Sequence, residues 1–560
     1  MHIDGRTIEK EAVVESDVCI IGAGAAGITI AKRLAGDSLE VCLLESGGLN
    51  SPNGAQSLAD GSNVGLSYYP LSSSRLRYFG GSTNHWGGYC APLHPIDFQK
   101  RSWVPHSGWP ISREDLDPYY ADAHDLLQLG PFEYEPQYWE GNVRDFRRLF
   151  PNSSRISNSV VQFSNSQFRV GKGEKRKRKG PTRMGHRYRR EIVKAENVTV
   201  ITNATATELE TTSSAHTVTG VRVECLDGNM FRVRAGRYVL ACGALQNARL
   251  LLLSDRHAPN GLGNKNDLVG RFFMEHPHVP SASVLLSESR SLDAYRRYYS
   301  RLRQPRFYLR IDPRSQRSER VLNCSARLDT RASGLRAGQS LYRRLGMEKF
   351  RFGSDLSEIE PDIESVLADF EGVLSGINDA LREGSKKRPQ FRRVNVMTIA
   401  EQAPNPNSRV QLGDSLNEFG QPELELDWRL TALDKRSIVR LNTALAQELG
   451  RRGLGRLRIP EWVQAEGWEE VEKEADLSRL WWPKSPDRVN GGWHHMGTTR
   501  MKDTPKEGVC NKDCRVFGVD NLYVAGSSLF PTSGSAPPTL TIMALSLRLA
   551  EHLQEFSETS

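Results

Sequence analysis

DVCIIGAGAAGITIAKRLAGDSLEVCLLESG, residues 17–47, decides the fold. Val18-Cys19-Ile20-Ile21 is a short continuous apolar run, the pattern of a strand buried on both faces of a parallel sheet. Gly22-Ala23-Gly24-Ala25-Ala26-Gly27 follows at once, and Ile28, Ile30, Ala31 and Leu34 then recur at helical spacing. Val41-Cys42-Leu43-Leu44 is a second buried run, ending at Glu45. The order is strand, glycine turn, helix, strand, acid. In such a turn the first glycine permits the sharp bend, the second lets backbone approach a pyrophosphate, and the third lets the helix pack on the strand. The free N–H groups of the helix N-terminus face the phosphates. Glu45, 18 residues beyond Gly27, is placed to accept from ribose hydroxyls. Gly22, Gly24, Ala25, Ala26, Gly27, Glu45 and Ser46 are therefore candidate dinucleotide contacts.

The chain around this unit has 560 residues, 38% hydrophobic and 25% charged, with mean hydropathy −0.51. That composition excludes an integral membrane protein, a collagen-like fibre and a fully disordered chain. No apolar stretch approaches the roughly 20 residues needed to span a bilayer. The polar start MHIDGRTIEKEAVVES is not a signal peptide. Eight cysteines are too few for a disulfide scaffold of this size, which with the start points to a reducing, cytoplasmic home. Cys510 and Cys514 form the one close pair, but no second ligand pair follows, so no metal site is expected. The net charge of +8 gathers mostly in one run, Lys172–Lys179, continuing to Arg190. A solvated loop explains it, and no nucleic-acid-binding pattern accompanies it.

Residues 50–150 are loop-rich. Strand-like runs follow at 198–201, 217–223 and 237–241, and a last short buried strand lies at 520–526. The stretch 276–480 is polar and Arg-rich, includes a helical period over 358–377, and reads as a separate substrate-facing unit. An amphipathic helix closes the chain over 540–553.

Several motifs in one order carry a resemblance. Asp17–Gly47, FGGSTNHWGG (79–88), VLACGALQNARLLLLS (239–254), LVGRFFMEHP (268–277), GGWHHMGTTRM (491–501) and the segment 521–553 together resemble the glucose–methanol–choline (GMC) oxidoreductases. The resemblance implies an α/β fold, α+β overall. It implies a Rossmann-like FAD-binding domain over 14–275 and 481–555, interrupted by a substrate-binding domain at 276–480 built on an antiparallel sheet with helices. It also implies an FAD-dependent oxidoreductase that converts a CH–OH group of a sugar, glycoside or other alcohol to a carbonyl. The proton goes to a histidine and the hydride to flavin N5, with oxygen or a quinone as final acceptor.

His494, in His494-His495-Met496-Gly497-Thr498, matches the family's histidine motif, with His495 beside it. A neutral imidazole titrates near working pH and can accept a proton as hydride leaves. The loop residues Gly80, Gly81, Ser82, Asn84, His85, Trp86 and Gly87 are expected at the isoalloxazine ring. His85 occupies the position that carries a covalent flavin link in some relatives and a hydrogen-bonded histidine in others. Arg77 is a candidate charge near that loop. Ala206, Ala241, Cys242, Gly243, Gly526 and Ser527 are expected along the ADP half, and Pro538 and Thr539 at the flavin's pyrimidine edge, before a helix whose positive end favours a reduced anion. One position departs from the family. Its second polar residue, usually His or Asn, is Pro537 here, which offers no side-chain donor or acceptor. That departure keeps open a rival reading, tailoring of a glycosylated or polyol natural product with an acceptor other than oxygen; a third reading, a nonenzymatic flavoprotein that binds a partner through 172–190, is opposed by the retention of His494.

Overall fold

The computed structural model describes residues 1–50, 54–143, 146–164, 166–169, 177–295, 305–329, 391–465, 467–468 and 489–555. The expected helix at 358–377 and the start of the basic run lie outside the described residues.

Two sheets organise the chain. The first has eight strands in the order His2–Asp4, Val198–Thr202, Val41–Leu44, Val13–Ile21, Met230–Leu240, Val218–Glu224, Thr205–Thr211, with Leu522–Val524 also paired to Met230–Leu240. Pairing is parallel from His2–Asp4 through Met230–Leu240 and on to Leu522–Val524. Only the Thr205–Thr211, Val218–Glu224 and Met230–Leu240 meander is antiparallel. The central parallel strands are apolar because both of their faces are covered: Val18, Cys19, Ile20, Val41, Cys42 and Leu43 are all buried. The Ala25–Leu34 helix covers one face and packs against the final helix, Thr539–Glu555. Gly27 makes that close approach possible: a Cβ there would sit 1.9 Å from the Gly22 carbonyl oxygen.

The second sheet is antiparallel and has seven strands, in the order Gly455–Arg458, His278–Arg290, Phe391–Ala400, Cys324–Asp329, Arg306–Ile311, Ile156–Phe163, Tyr89–Cys90. It draws two strands, at 89–90 and 156–163, from outside the 276–480 interval that its composition marks off. Antiparallel neighbours need not be close in sequence, so a composition shift does not trace this sheet's limits. One face carries Leu309, Leu328, Val394 and Val396 against Leu445 and Leu449 of the Ala432–Arg451 helix. The other carries His278 and Ser325, and Ser325 Oγ lies 2.9 Å from Ser535 Oγ just ahead of the last helix. This face of the sheet therefore meets the segment that leads into the last helix.

Candidate active site

The carboxyl ends of three neighbouring parallel strands open into one cleft. Gly24 follows Val13–Ile21, Gly243 follows Met230–Leu240, and Gly526 follows Leu522–Val524. Each faces open space where a Cβ would otherwise stand, with φ of 80° at Gly243 and 105° at Gly526. Crevices at the carboxyl ends of parallel strands are where such sheets bind dinucleotides. Gly22 (φ 106°) makes the sharp turn against the backbone of Ala241 and Cys242. Ala25 and Ala26 open the helix, which presents its free N–H groups to the cleft. Glu45 is buried: Oε2 accepts from Ala23 N–H (3.1 Å) and Oε1 from Gly47 N–H (2.9 Å). Burial raises its pKa. A carboxylate has about four acceptor positions, so ribose hydroxyls still find lone pairs there. Arg77 donates to Ser46 Oγ (3.0 Å) and to Leu58 O (2.9 Å). Ala206 lies on the strand entered from Ala204, whose N–H is 3.0 Å from Glu45 O. The residues thus fit an FAD.

The 79–88 loop closes over this turn. Gly80 N–H donates to Ala23 O at 2.8 Å, and a Cβ on Gly81 would lie 3.4 Å from Gly24 Cα. Ser82, His85 and Gly87 are exposed, and His85 stands with its ring 6.1 Å from Tyr78. Asn84 and Trp86 hold the loop itself: Asn84 Nδ2 donates to Phe79 O (2.9 Å) and Trp86 Nε1 to Thr182 O (2.8 Å). Cys242 N–H donates to Asn247 Oδ1 (2.9 Å), fixing the bend into the next helix. Pro538 O accepts from Ile542 N–H (2.8 Å), so the final helix begins at Thr539 directly after the proline pair.

The His494 loop is stitched to the same strand end. Gly497 N–H donates to Ser527 O (3.1 Å), Thr499 N–H to Ser528 O (2.9 Å), and Ser527 Oγ to His495 O (2.6 Å). On its other side the loop runs antiparallel to 274–278, with bridges Met274 to Met496 and His278 to Asn490. Those bridges set His494 Nδ1 2.9 Å from His276 Nδ1, with the rings at 86°. His495 points elsewhere, with Nε2 2.9 Å from Tyr68 Oη.

Glu275 is the hub. Its carboxylate accepts from Trp493 N–H (2.7 Å), His494 N–H, His276 N–H (3.3 Å) and Tyr68 Oη–H (3.0 Å). It holds Trp493 at φ 60°, an unfavourable backbone for a tryptophan. Burial pushes Glu275 up to about 7. Burial also pulls the histidines down: His276 to about 4, and His278 and His495 to about 3. His494 falls well below its usual value through burial and then the neighbouring His276, His278 and His495. A base kept neutral in this way has its lone pair free at neutral pH.

Glu275, His276, His278 and Tyr68 escape the motif reading. The Glu-His-Pro-His order directly after the LVGRFFM segment was the available signal, since histidines two apart in extended chain share a face. Nothing in the sequence singles out Tyr68.

Family models match over two spans: GMC oxidoreductase at residues 404–546 and FAD dependent oxidoreductase at 17–260. The chain thus joins an FAD dependent oxidoreductase part to a C-terminal GMC oxidoreductase part. It uses FAD and acts on CH–OH donors. It is 26% identical to the 6'''-hydroxyparomomycin C oxidase of Streptomyces lividus, over 96% of this chain and 92% of that one. It is 24% identical to the fructose dehydrogenase large subunit of Gluconobacter japonicus, over 96% and 97%. Its fold matches the solved pyridoxine 4-oxidase of Mesorbium loti with TM-score 0.53 at 16% identity, over 96% and 98%. Among the described residues, no helix is long and apolar enough to cross a membrane, and no group of His, Cys, Asp and Glu could hold a metal ion.

Proposed function

We propose that this oxidoreductase oxidises a carbinol of a sugar or polyol to the carbonyl, with His494 as the base. The observation that carries the reading is the stitching of the His494 loop to Ser527 and Ser528, immediately beside Gly526 of the cofactor cleft. FAD, when bound, supplies the acceptor for the hydride that leaves the carbinol carbon. The chain's residues do the rest. His494 takes the hydroxyl proton, so the oxygen can form a carbonyl as hydride departs. Glu275 fixes the backbone that carries His494 by accepting from its N–H and from that of Trp493. All eight cysteines are free, and the reading places the protein in the reducing cytoplasm.

The test is anaerobic. D-Glucose, D-fructose, glycerol and 1,2-propanediol are added separately to the FAD-loaded protein, and flavin absorbance is followed. Bleaching with formation of the carbonyl product is expected from at least one of them. No bleaching by any of the four would overturn the sugar or polyol reading. Admitting air to the bleached enzyme then separates oxygen from a quinone as the acceptor.

A further inference from the structure

We infer that His276 fixes the tautomer of His494, leaving Nε2 of His494 as the bare nitrogen that receives the substrate proton. The inference rests on His494 being the base, and it names which of its nitrogens acts and what holds it so.

The argument runs through lone pairs and protons. His276 is fully buried, and its Nε2 lies 3.2 Å from the Ser533 carbonyl oxygen. A carbonyl oxygen only accepts, so His276 Nε2 carries the proton. A neutral imidazole has one N–H, so His276 Nδ1 is a lone pair, and its depressed pKa agrees with the neutral form. That lone pair faces His494 Nδ1 at 2.9 Å. His494 Nδ1 must therefore be the donor. In neutral His494 this leaves Nε2 unprotonated, and among the described residues no hydrogen bond occupies it. When the substrate hydroxyl gives its proton to Nε2, the Nδ1–H bond to His276 is already in place. No second proton moves.

The geometry is not accidental to one rotamer. The bridges Met274 to Met496 and His278 to Asn490 flank the histidine pair on both sides, so the two chains cannot slide past each other without breaking four backbone hydrogen bonds (3.0, 3.0, 2.7 and 3.1 Å). The other groups acting on His494 are His278, His495 and the Glu275 carboxylate at its backbone N–H, while Arg327 acts on His278 and Arg75 on His495. None of these bonds the His494 ring. His276 is a positioning residue: it touches the base, not the substrate.

Two measurements test this. Nitrogen-15 spectra of histidine-labelled protein, with His494 assigned by loss in His494→Gln, report the tautomer without any substrate. The parent should show His494 protonated at Nδ1, and His276→Leu should shift it toward the Nε2–H form. A parent His494 protonated at Nε2 overturns the inference. Anaerobic reduction with the fastest-bleaching alcohol of the panel gives the second readout. His276→Leu should lower the limiting reduction rate about 10²-fold with little change in substrate affinity, the size of one general-base contribution. His276→Asn, whose Oδ1 accepts where Nδ1 did, should recover most of that rate. His276→Asp should raise the acidic limb of the pH profile by about 1–3 units, because a carboxylate favours the imidazolium. Loss in His494→Gln together with a parent-like rate in His276→Leu would overturn this inference and spare the base. Parent-like rates in both would overturn the base assignment itself.

Discussion

Replacing Glu275 by Gln keeps the side chain's volume but removes its charge and one acceptor. In the parent, Oε2 accepts from Trp493 N–H at 2.7 Å and Tyr68 Oη–H at 3.0 Å, while Oε1 accepts from His494 N–H and from His276 N–H at 3.3 Å. Whichever way the amide turns, its NH2 faces one of these two donor pairs. At least one backbone N–H beside the base then loses its acceptor. Hydrogen bonds to a charged group contribute about 1.5–3 kcal/mol each, so two weakened bonds amount to about 3–6 kcal/mol before relaxation. With half of that recovered by small shifts, about 1.5–3 kcal/mol falls on the placement of the His494 loop, or roughly 10- to 10²-fold in rate. Trp493 would also be released from its positive φ. The assay is anaerobic rapid mixing, reading the limiting rate of flavin bleaching in preparations of matched flavin content. A limiting rate within threefold of the parent would refute the claim that Glu275 places the base.

Other consequences follow from the same geometry. Gly24→Ala should leave thermal stability within about 0.5 kcal/mol, since open space surrounds that position, while lowering bound FAD. Gly27→Ala should instead cost several kcal/mol or abolish soluble protein, because its Cβ would meet the Gly22 oxygen at 1.9 Å; calorimetry and flavin content of the two variants check the contrast. Arg101 and Glu401 form a fully buried pair, bonded through Nη1 to Oε2 at 2.9 Å and through Nη2 to Oε1, so Arg101→Ala should destabilise by about 3–5 kcal/mol in chemical denaturation. His276, His278, His494 and His495 bind fewer protons folded than unfolded, because all four pKa values are depressed. Stability should therefore fall as pH drops from about 6.5 toward 4. Glu275, raised to about 7, works the other way between its unfolded value and 7. Denaturation of a His276→Asn, His278→Asn double variant should show a flatter acid limb than the parent.

How far the chain could be read in advance depends on where each contact lies in sequence. The glycine turn was legible because Gly22, Gly24 and Gly27 act within six residues, and each glycine has one steric reason that the structure repeats. Gly526 and His494 were legible through family motifs, and their juxtaposition follows from bonds only a fold supplies. Glu275 was not legible, because a buried acid's role depends on which N–H groups converge on it, and here those come from 218 and 219 residues away. Tyr68 meets Glu275 across 207 residues and sits in a loop with no periodic signal. The second sheet was only partly legible, since the Ile156–Phe163 strand joins partners 140 and more residues later.

The central claim, that His494 is the base of a carbinol oxidation, is tested most directly by His494→Gln in the FAD-loaded protein. With flavin content equal to the parent's, anaerobic bleaching by the best alcohol of the panel should slow by about 10²-fold or more. A bleaching rate close to the parent's would contradict it.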